Sequence, residues 1–302
     1  MKLLVTGAWK SAKEQLNNLK ALGYDVIFMQ NESEVIPCNP QEIEGVICNG
    51  LFLFHDIDEF TSLKFIQLTS AGFDRVPMDK ISARGIKIFN ARGVYSIPMA
   101  EYALWGVLSL YKKARFFEKN RLESKWDKCR EIIELFGKNV LIVGCGNVGL
   151  ECAKRFKAFG TNTFGVDLAE RQDDDFGKVY SIDKLGEALE KADIVVLTLP
   201  LTSQTKGLIS IEMLEKMKEG SVFVNIARGQ IVDENELIKA LKHKLLGAVL
   251  DVFETEPLEK TSELWCLENV IVTPHNSFVG ENNEQRLTTT IVNNLETLKN
   301  GK

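Results

Sequence analysis

NVLIVGCGNVG, Asn139 to Gly149, is a short apolar run that ends in Gly144, Gly146 and Gly149. A Val/Ile/Leu-rich segment bounded by Gly-Lys before it and Gly-x-Gly after it reads as a buried parallel strand feeding a tight turn. A helix is expected to follow at once, with Val148, Cys152, Phe156 and Phe159 at helical spacing and Gly160 as its stop. Such a turn suits anion binding: glycines let the backbone approach a pyrophosphate, which then sits against the N–H groups and partial positive charge of the helix N-terminus. By itself G-x-G-x-x-G is a weak signal, since a packing turn in an ordinary βα unit has the same form. Here strand, glycines and helix occur in the required order, and a second strand, NTFGV, ends on Asp167. That acidic residue stands close to the roughly 20-residue spacing at which the fingerprint places a partner for the ribose 2′-hydroxyl. The reading is a dinucleotide site. Asp167 favours NAD over NADP, because a carboxylate repels a 2′-phosphate, and the nearby Arg171 works against that preference.

Working outward, 302 residues fit two domains. The hydrophobic share of 45% and charged share of 26% are those of an ordinary globular protein able to bury a full core. A net charge of −5 with scattered basic residues gives no reason to expect nucleic acid or an acidic membrane surface as a partner. Cys38, Cys48, Cys129, Cys145, Cys152 and Cys266 show no C-x-x-C pair, so neither a zinc or other metal site nor a disulfide framework is expected. They read as reduced thiols of a cytosolic protein. MKLLVTGAWKSAKEQ turns polar too early for a signal peptide, and no apolar run approaches membrane-spanning length, so a soluble, cytoplasmic protein is expected.

Before residue 90, KLLVT, YDVIFM, GVICN, KFIQLT and IKIFN are strand candidates, with LNNLKALG a helix between the first two. This is βαβ patterning and predicts a parallel sheet. Only Gly7 marks the first turn, so this part is not expected to hold the dinucleotide. Ser96 and Pro98 open a helix, and MAEYALWGVLSLYKKARFFEKN continues it for about six turns at the 3.6-residue period. Residues 126–138 read as an entry loop. Then follow DIVVLTL, SVFVNIA, LGAVLDV and NVIVTP as strands, with helices bounded by Ser210 and Gly220 and by Asp233 and Lys244. With the first two strands this predicts six in one doubly wound sheet. The last helix carries a stripe of Leu287, Ile291, Leu295 and Leu298 that has to lie on something. Its expected place is the first domain, which makes the cofactor domain an insertion: 1–97 and 278–302 form a substrate domain, 98–277 the NAD-binding domain.

A doubly wound sheet puts its working groups beyond the carboxyl ends of its strands. Arg228 follows SVFVNIA, Glu256 follows LGAVLDVFET, and His275 follows NVIVTP. A guanidinium there can hold a carboxylate bidentately. A His there can exchange a proton near neutral pH, with a carboxylate on its other nitrogen to orient it. Taken singly, Arg228 is as well read as a surface ion-pair partner, Glu256 as a solvated loop residue and His275 as structural. His243, among lysines at a helix end, complements the helix dipole, and His55 sits in an apolar and acidic loop.

LFGKNVLIVGCGNVG, LPLTSQTKGLI, VNIARGQIVDENELIKAL, GAVLDVFETEPL and NVIVTPH resemble, in order, the motifs of the D-isomer-specific 2-hydroxyacid dehydrogenase family, over roughly residues 65–280. The resemblance implies two Rossmann-like or flavodoxin-like α/β domains with parallel sheets, and an NAD-dependent interconversion of 2-oxo and D-2-hydroxy acids. It implies that Arg228 binds the substrate carboxylate and carbonyl, that His275 is the general acid/base, and that Glu256 pairs with it. Gly144, Gly146, Asn147, Val148, Gly149, Asp167, Leu199, Pro200, Thr205, Ala227, Arg228 and His275 are then expected around the cofactor, and Asp251 at the nicotinamide carboxamide. SAGFD, Ser70 to Asp74, is similar to the family's substrate-carboxylate turn, in which the N–H groups of Ala71 and Gly72 make a small anion nest with Ser70 beside it. The family also implies a homodimer through the cofactor domains, with the helix after Pro98 as its element, and an active site between the two domains.

The chain departs from the family pattern where phosphoglycerate-handling relatives carry a basic residue. It has NGLFLF, residues 49–54, and Leu51, Phe52 and Tyr95 are the residues expected to shape an apolar or small distal pocket. No regulatory domain is expected beyond Lys302, and Glu256 argues against the formate-oxidising relatives, which resemble this pattern with Gln in its place. The rival reading is a dinucleotide-sensing binding protein on the same fold, like the co-repressors that resemble this family. The triad alone also leaves open a different acid, such as phosphite.

Overall fold

The computed structural model describes residues 1–299; Asn300 to Lys302, the end of the predicted last helix and substrate domain, lie outside the described residues. The chain divides into two compact units, one of Met1–Tyr95 together with the segment from Gly280, the other Ser96–Val279.

The first unit begins β1 (Lys2–Thr6), α1 (Ala12–Ala21), β2 (Asp25–Met29), β3 (Gly45–Cys48), β4 (Phe65–Leu68), α2 (Met78–Ala83) and β5 (Lys87–Phe89). All five strands pair in parallel in the order β2-β1-β3-β4-β5, the flavodoxin-like arrangement. Every residue of β3 and β4 is buried, which is why these segments read as continuous apolar runs rather than alternating ones. Side chains still alternate between faces. Leu4, Val46 and Ile66 pack on one side with Leu51, Phe60 and Ile81, and Leu3, Val5, Ile47 and Phe65 pack on the other with Trp9 and Leu19.

The second unit opens with α3 (Ser96–Tyr111) and α4 (Ala114–Leu122). The single six-turn helix expected here is broken: Lys113 takes a left-handed conformation, φ 53°, and α4 starts afresh from it. The 3.6-residue pattern runs through the break, so periodicity does not reveal it. The small residues of α3 bring its backbone close to the sheet, and a Cβ on Gly106 would lie 2.5 Å from Val249. After an irregular stretch come β6 (Asn139–Val143), α5 (Asn147–Ala158), β7 (Asn162–Asp167), β8 (Arg171–Asp173), β9 (Gly177–Ser181), α6 (Leu185–Leu189), β10 (Ile194–Leu197), α7 (Ile211–Lys216), β11 (Val222–Asn225), α8 (Glu234–His243), β12 (Gly247–Leu250) and β13 (Val270–Val272).

These strands form one sheet of order β13-β12-β11-β10-β6-β7-β9-β8, parallel except for β8. Eight strands replace the expected six. The two additional ones, β8 and β9, are short: RQD has no apolar residue, and β9 supplies only Val179, buried in the core, and Tyr180, which lies under the ammonium groups of Lys178 and Lys191. Strand order reverses between β6 and β10, the switch point at which a doubly wound sheet takes its ligand. The helix limits also differ in detail. Asp233 caps α8 through its side chain, accepting from the Glu236 N–H at 3.1 Å. Ser210 makes no such side-chain bond, and Met217 is already extended, so Gly220 lies beyond the end of α7 rather than capping it. The chain then returns to the first unit with α9 (Asn283–Lys299), whose Leu287, Ile291 and Leu295 complete the core that holds Leu3 and Val5.

Candidate active site

The turn after β6 is built by short contacts. Gly144 has φ +100°, and a Cβ there would lie 2.7 Å from the backbone N of Leu199. Gly149 is equally constrained, since its Cβ would lie 2.2 Å from the Gly144 oxygen. Thr198 locks the same turn by donating its hydroxyl to Gly144 O at 2.6 Å. Leu199 therefore stands directly over Gly144, with Pro200 next in the chain. Thr205 ties that loop down by donating to Pro200 O at 2.7 Å.

Gly146 is different. A Cβ placed on it meets nothing within 4 Å, and its backbone is extended in a way any residue could adopt. Packing within the unit gives no reason for a glycine there. A dinucleotide pyrophosphate does, because it needs the space above Gly146 and the first-turn N–H groups of Asn147 and Val148. The residues present fit the group. On the next strand, Gly144 N–H donates to Val166 O at 2.8 Å, which sets Asp167 beside the turn. The Asp167 carboxylate accepts from the Leu168 N–H at 2.8 Å and faces Arg171 at 3.5 Å, while Arg171 also reaches Cys145 O. The group read as the 2′-hydroxyl partner thus has a cation beside it. Burial pushes the Cys145 thiol up to about 12, so it stays an uncharged packing residue within the turn.

The strand-end trio lies on consecutive strands. Arg228 follows β11 in an extended conformation, with Ala227 buried before it and its Nη1 donating to Ala227 O at 2.7 Å. The loop is held from below by Asn225, a fully buried amide that accepts from Ala227 N–H at 3.1 Å and donates to Arg228 O at 3.0 Å. A Cβ on Gly229 would lie 1.8 Å from the carbonyl carbon of Phe253, so the Arg228 loop rests backbone to backbone on the segment leading to Glu256. Glu256 accepts from Phe253 N–H at 3.1 Å through Oε1, and its Oε2 lies 2.8 Å from His275 Nδ1. A carboxylate only accepts, so Nδ1 carries the hydrogen and Nε2 is the nitrogen left to work. Both side chains remain accessible, 37% for His275 and 38% for Glu256. Glu234 supports the same segment by accepting from Glu254 N–H at 3.1 Å, and burial holds its carboxyl above the usual range.

Asp251, expected at the nicotinamide carboxamide, is fully buried, and its carboxylate is taken up by the segment around His275: Oδ1 accepts from Thr273 Oγ1 and Asn276 N–H, Oδ2 from Ser277 N–H. Asn225, Gly229, Glu234 and Thr273 are absent from the sequence reading. The available signal was a polar residue closing an apolar strand, as in VFVN and VIVT, where an exposed strand end is the easier assumption.

In the first unit, Ser70, Ala71 and Gly72 share the turn after β4. Ser70 donates to Gly72 O at 3.1 Å and Asn90 to Ala71 O at 2.7 Å, and among the described residues neither the Ala71 nor the Gly72 N–H has an acceptor. Two adjacent N–H groups of this kind can receive a carboxylate. The loop after β3 differs from the apolar wall expected of it. Leu51 is fully buried in the core, Phe52 packs edge-on against Phe60, and Tyr95 donates its hydroxyl to Thr69 O at 2.5 Å. Leu51 thus presents no side-chain surface. The Glu32 carboxylate receives the Asn49 and Gly50 N–H groups at 2.7 Å each, and Arg75 Cδ lies 3.7 Å from where a Gly50 Cβ would be. The loop sequence is free of basic residues, yet the fold brings the side chain of Arg75 alongside it.

Among the described residues no group of His, Cys, Asp or Glu is placed to hold a metal ion, and no helix is long and apolar enough to cross a membrane. Residues 104–277 match the family model described as the D-isomer specific 2-hydroxyacid dehydrogenase, NAD binding domain. A D-3-phosphoglycerate dehydrogenase of Methanocaldococcus jannaschii is 33% identical over 262 residues, 85% of this chain and 50% of that protein. The chain therefore spans about half the length of that relative. A glyoxylate reductase of Thermofilum pendens is 33% identical over 253 residues, 82% of this chain and 75% of its own. Among solved structures, a D-isomer specific 2-hydroxyacid dehydrogenase family protein of Aeromonas salmonicida subsp. salmonicida superposes with a TM-score of 0.88 at 28% identity, covering 100% of this chain and 96% of that one.

Proposed function

This chain belongs to the D-isomer-specific 2-hydroxyacid dehydrogenase family, and on that premise we propose that it is an NAD-dependent oxidoreductase interconverting 2-oxo acids and D-2-hydroxy acids. The observation that carries the reading is the 2.8 Å contact of Glu256 Oε2 with His275 Nδ1, which leaves Nε2 to exchange a proton with the substrate oxygen. NAD, when bound, supplies the hydride chemistry. Arg228 holds the substrate carboxylate and polarises the carbonyl. In the first unit, the Ala71 and Gly72 N–H groups with Ser70 form a nest of the kind that receives a carboxylate. His275, as imidazolium, gives its Nε2 proton to the carbonyl oxygen during reduction. In the reverse direction the neutral ring takes that proton from the hydroxyl. Glu256 stabilises the imidazolium and keeps the ring in one orientation.

The remaining assignments belong to the same proposal. Residues 98–277 act as the NAD-binding domain and 1–97 with 278–302 as the substrate domain. Asp167 selects NAD, with Arg171 making NADP the poorer alternative rather than an excluded one. A homodimer through the cofactor domain is supported by the apolar surface on and after α3, where Trp105 is 50% exposed, Leu122 69% and Trp126 94%. A cytoplasmic site fits the thiol usage. The substrate is a small 2-oxo acid, a glyoxylate reductase being among the relatives.

The test is NADH oxidation against a panel of glyoxylate, hydroxypyruvate and pyruvate. Arg228→Ala is expected to lose substrate binding and turnover together. His275→Ala is expected to keep NADH binding and to lose about 10²–10⁴ in turnover. Full activity of His275→Ala would remove the proton donor from this account. Tight NADH binding with no turnover of any acid would return the protein to the sensor reading.

A further inference from the structure

His275 is one of three non-glycine residues with positive φ among the described residues, at 49°. A conformation of this kind persists where the surroundings over-determine it. Its ring is held by Glu256, but that contact does nothing for the backbone. The backbone is held by Asp251. The His275 N–H donates to Asp251 O at 2.8 Å, and the residues on either side donate to its carboxylate: Thr273 Oγ1 at 2.7 Å, Asn276 N–H at 2.7 Å and Ser277 N–H at 2.9 Å. A fully buried carboxylate with no ion-pair partner among the described residues depends on such donors.

The Thr273 hydroxyl fixes the direction of what comes next. Its hydrogen is committed to Asp251, which can only accept, so its oxygen accepts from the hydroxyl of Tyr102 on α3. Tyr102 is held in place by the ring of Trp105 one helical turn on, centroids 5.1 Å apart. A one-way chain of donors therefore runs from α3 through Thr273 to the carboxylate beneath the His275 turn, and a hydrogen bond within such a chain strengthens its neighbour.

We propose that Tyr102 and Thr273, acting through the buried carboxylate of Asp251, are positioning residues for His275, so that two carboxylates share its placement, Glu256 orienting the ring and Asp251 the backbone. This rests on the reading of His275 as the proton donor.

The experiment measures kcat and the NADH dissociation constant for Tyr102→Phe, Thr273→Val and Thr273→Ser, using whichever acid of the panel above turns over fastest. Loss of one neutral hydrogen bond in Tyr102→Phe is expected to lower kcat roughly fivefold. Thr273→Val, which also strips a donor from the buried carboxylate, is expected to lower it roughly tenfold or more. NADH affinity should stay within about twofold in both, and Thr273→Ser, which restores the hydroxyl, should recover most of the loss. Tyr102→Phe keeps the buried ring and so keeps the test open if Thr273→Val does not fold. Retention of kcat within about twofold in both Tyr102→Phe and a folded Thr273→Val would overturn the proposal. So would a Thr273→Ser as slow as the valine variant, because shape and not the hydroxyl would then be what matters. Full activity of His275→Ala would instead break the functional reading on which this stands.

Discussion

Two βα turns occupy corresponding places in the two units, one after β1 and one after β6, and their glycines answer to different needs. After β1, a Cβ on Gly7 would lie 2.3 Å from both the side-chain nitrogen and the backbone oxygen of Gln30, so packing alone demands the glycine. Trp9 fills the turn with no surface exposed, and the Ser11 N–H ahead of α1 is already taken by the Glu284 carboxylate of α9 at 2.7 Å. The protein supplies its own anion there. After β6, Gly144 and Gly149 are likewise demanded by packing, but Gly146 opens onto space. The same supersecondary unit is thus closed by the chain in one place and left open in the other, and one glycine marks the difference.

Gly146→Val is the sharpest way to break this comparison and carries the largest expected effect. It blocks approach to the first-turn N–H groups, and the loss of about two charge-assisted hydrogen bonds raises the NADH dissociation constant by about 10² or more. The urea midpoint is expected to stay put, since a Cβ there meets no protein atom within 4 Å. A fall in stability equal to the fall in affinity would show that Gly146 serves packing after all. Gly144→Ala tests the converse within the same turn. Positive φ and the Leu199 backbone at 2.7 Å together are expected to cost about 2–4 kcal/mol, read from denaturant unfolding.

Gly7→Ala carries the comparison to the first unit. It is expected to destabilise by about 1–3 kcal/mol while NADH affinity of the folded protein is unchanged, and weakened NADH binding would mean that the first turn takes part in the cofactor site. The smallest effect belongs to Asp193, at the opposite end of the β6 strand. Burial pushes its carboxyl up, but the Asn139 N–H at 2.8 Å and the Lys218 ammonium at 3.0 Å outweigh burial and hold it below the usual carboxylate range. Its contribution is therefore present above the unfolded value of about 3.9 and lost as pH falls through the lower folded value. Asp193→Asn is expected to reduce stability at neutral pH by at most about 1 kcal/mol, allowing for solvent screening, and to flatten the acid limb of the stability profile. NADH affinity should not move.

How much of this was legible in advance follows from the range of each signal. Strands buried on both faces, such as GVIC and NVLIV, announce themselves as apolar runs, and the fingerprint from β6 to Asp167 is local in the chain. β8 escapes the apolar pattern because the edge of a sheet needs few apolar residues, β9 because its five residues hold only Val179 and Tyr180, and the break at Lys113 because a left-handed residue leaves no mark on periodicity. Leu51 shows the limit of reading a loop by composition. An apolar residue after a strand can line a pocket or turn back into the core, and here it turns back while Arg75 comes alongside the loop.

The sequence by itself determined the fold class and the order of strands and helices through most of the chain, and it offered Arg228, Glu256 and His275 as candidates, because each of these depends on residues adjacent in the chain or on their place at a strand end. The tertiary structure alone decided that Gly146 faces open space while Gly7 does not, that Glu256 reaches His275 Nδ1, and that Tyr102 reaches the Asp251 carboxylate through Thr273. Those facts depend on the separation of atoms from different elements, down to a few tenths of an ångström, and neither hydrophobic periodicity nor motif spacing records such distances.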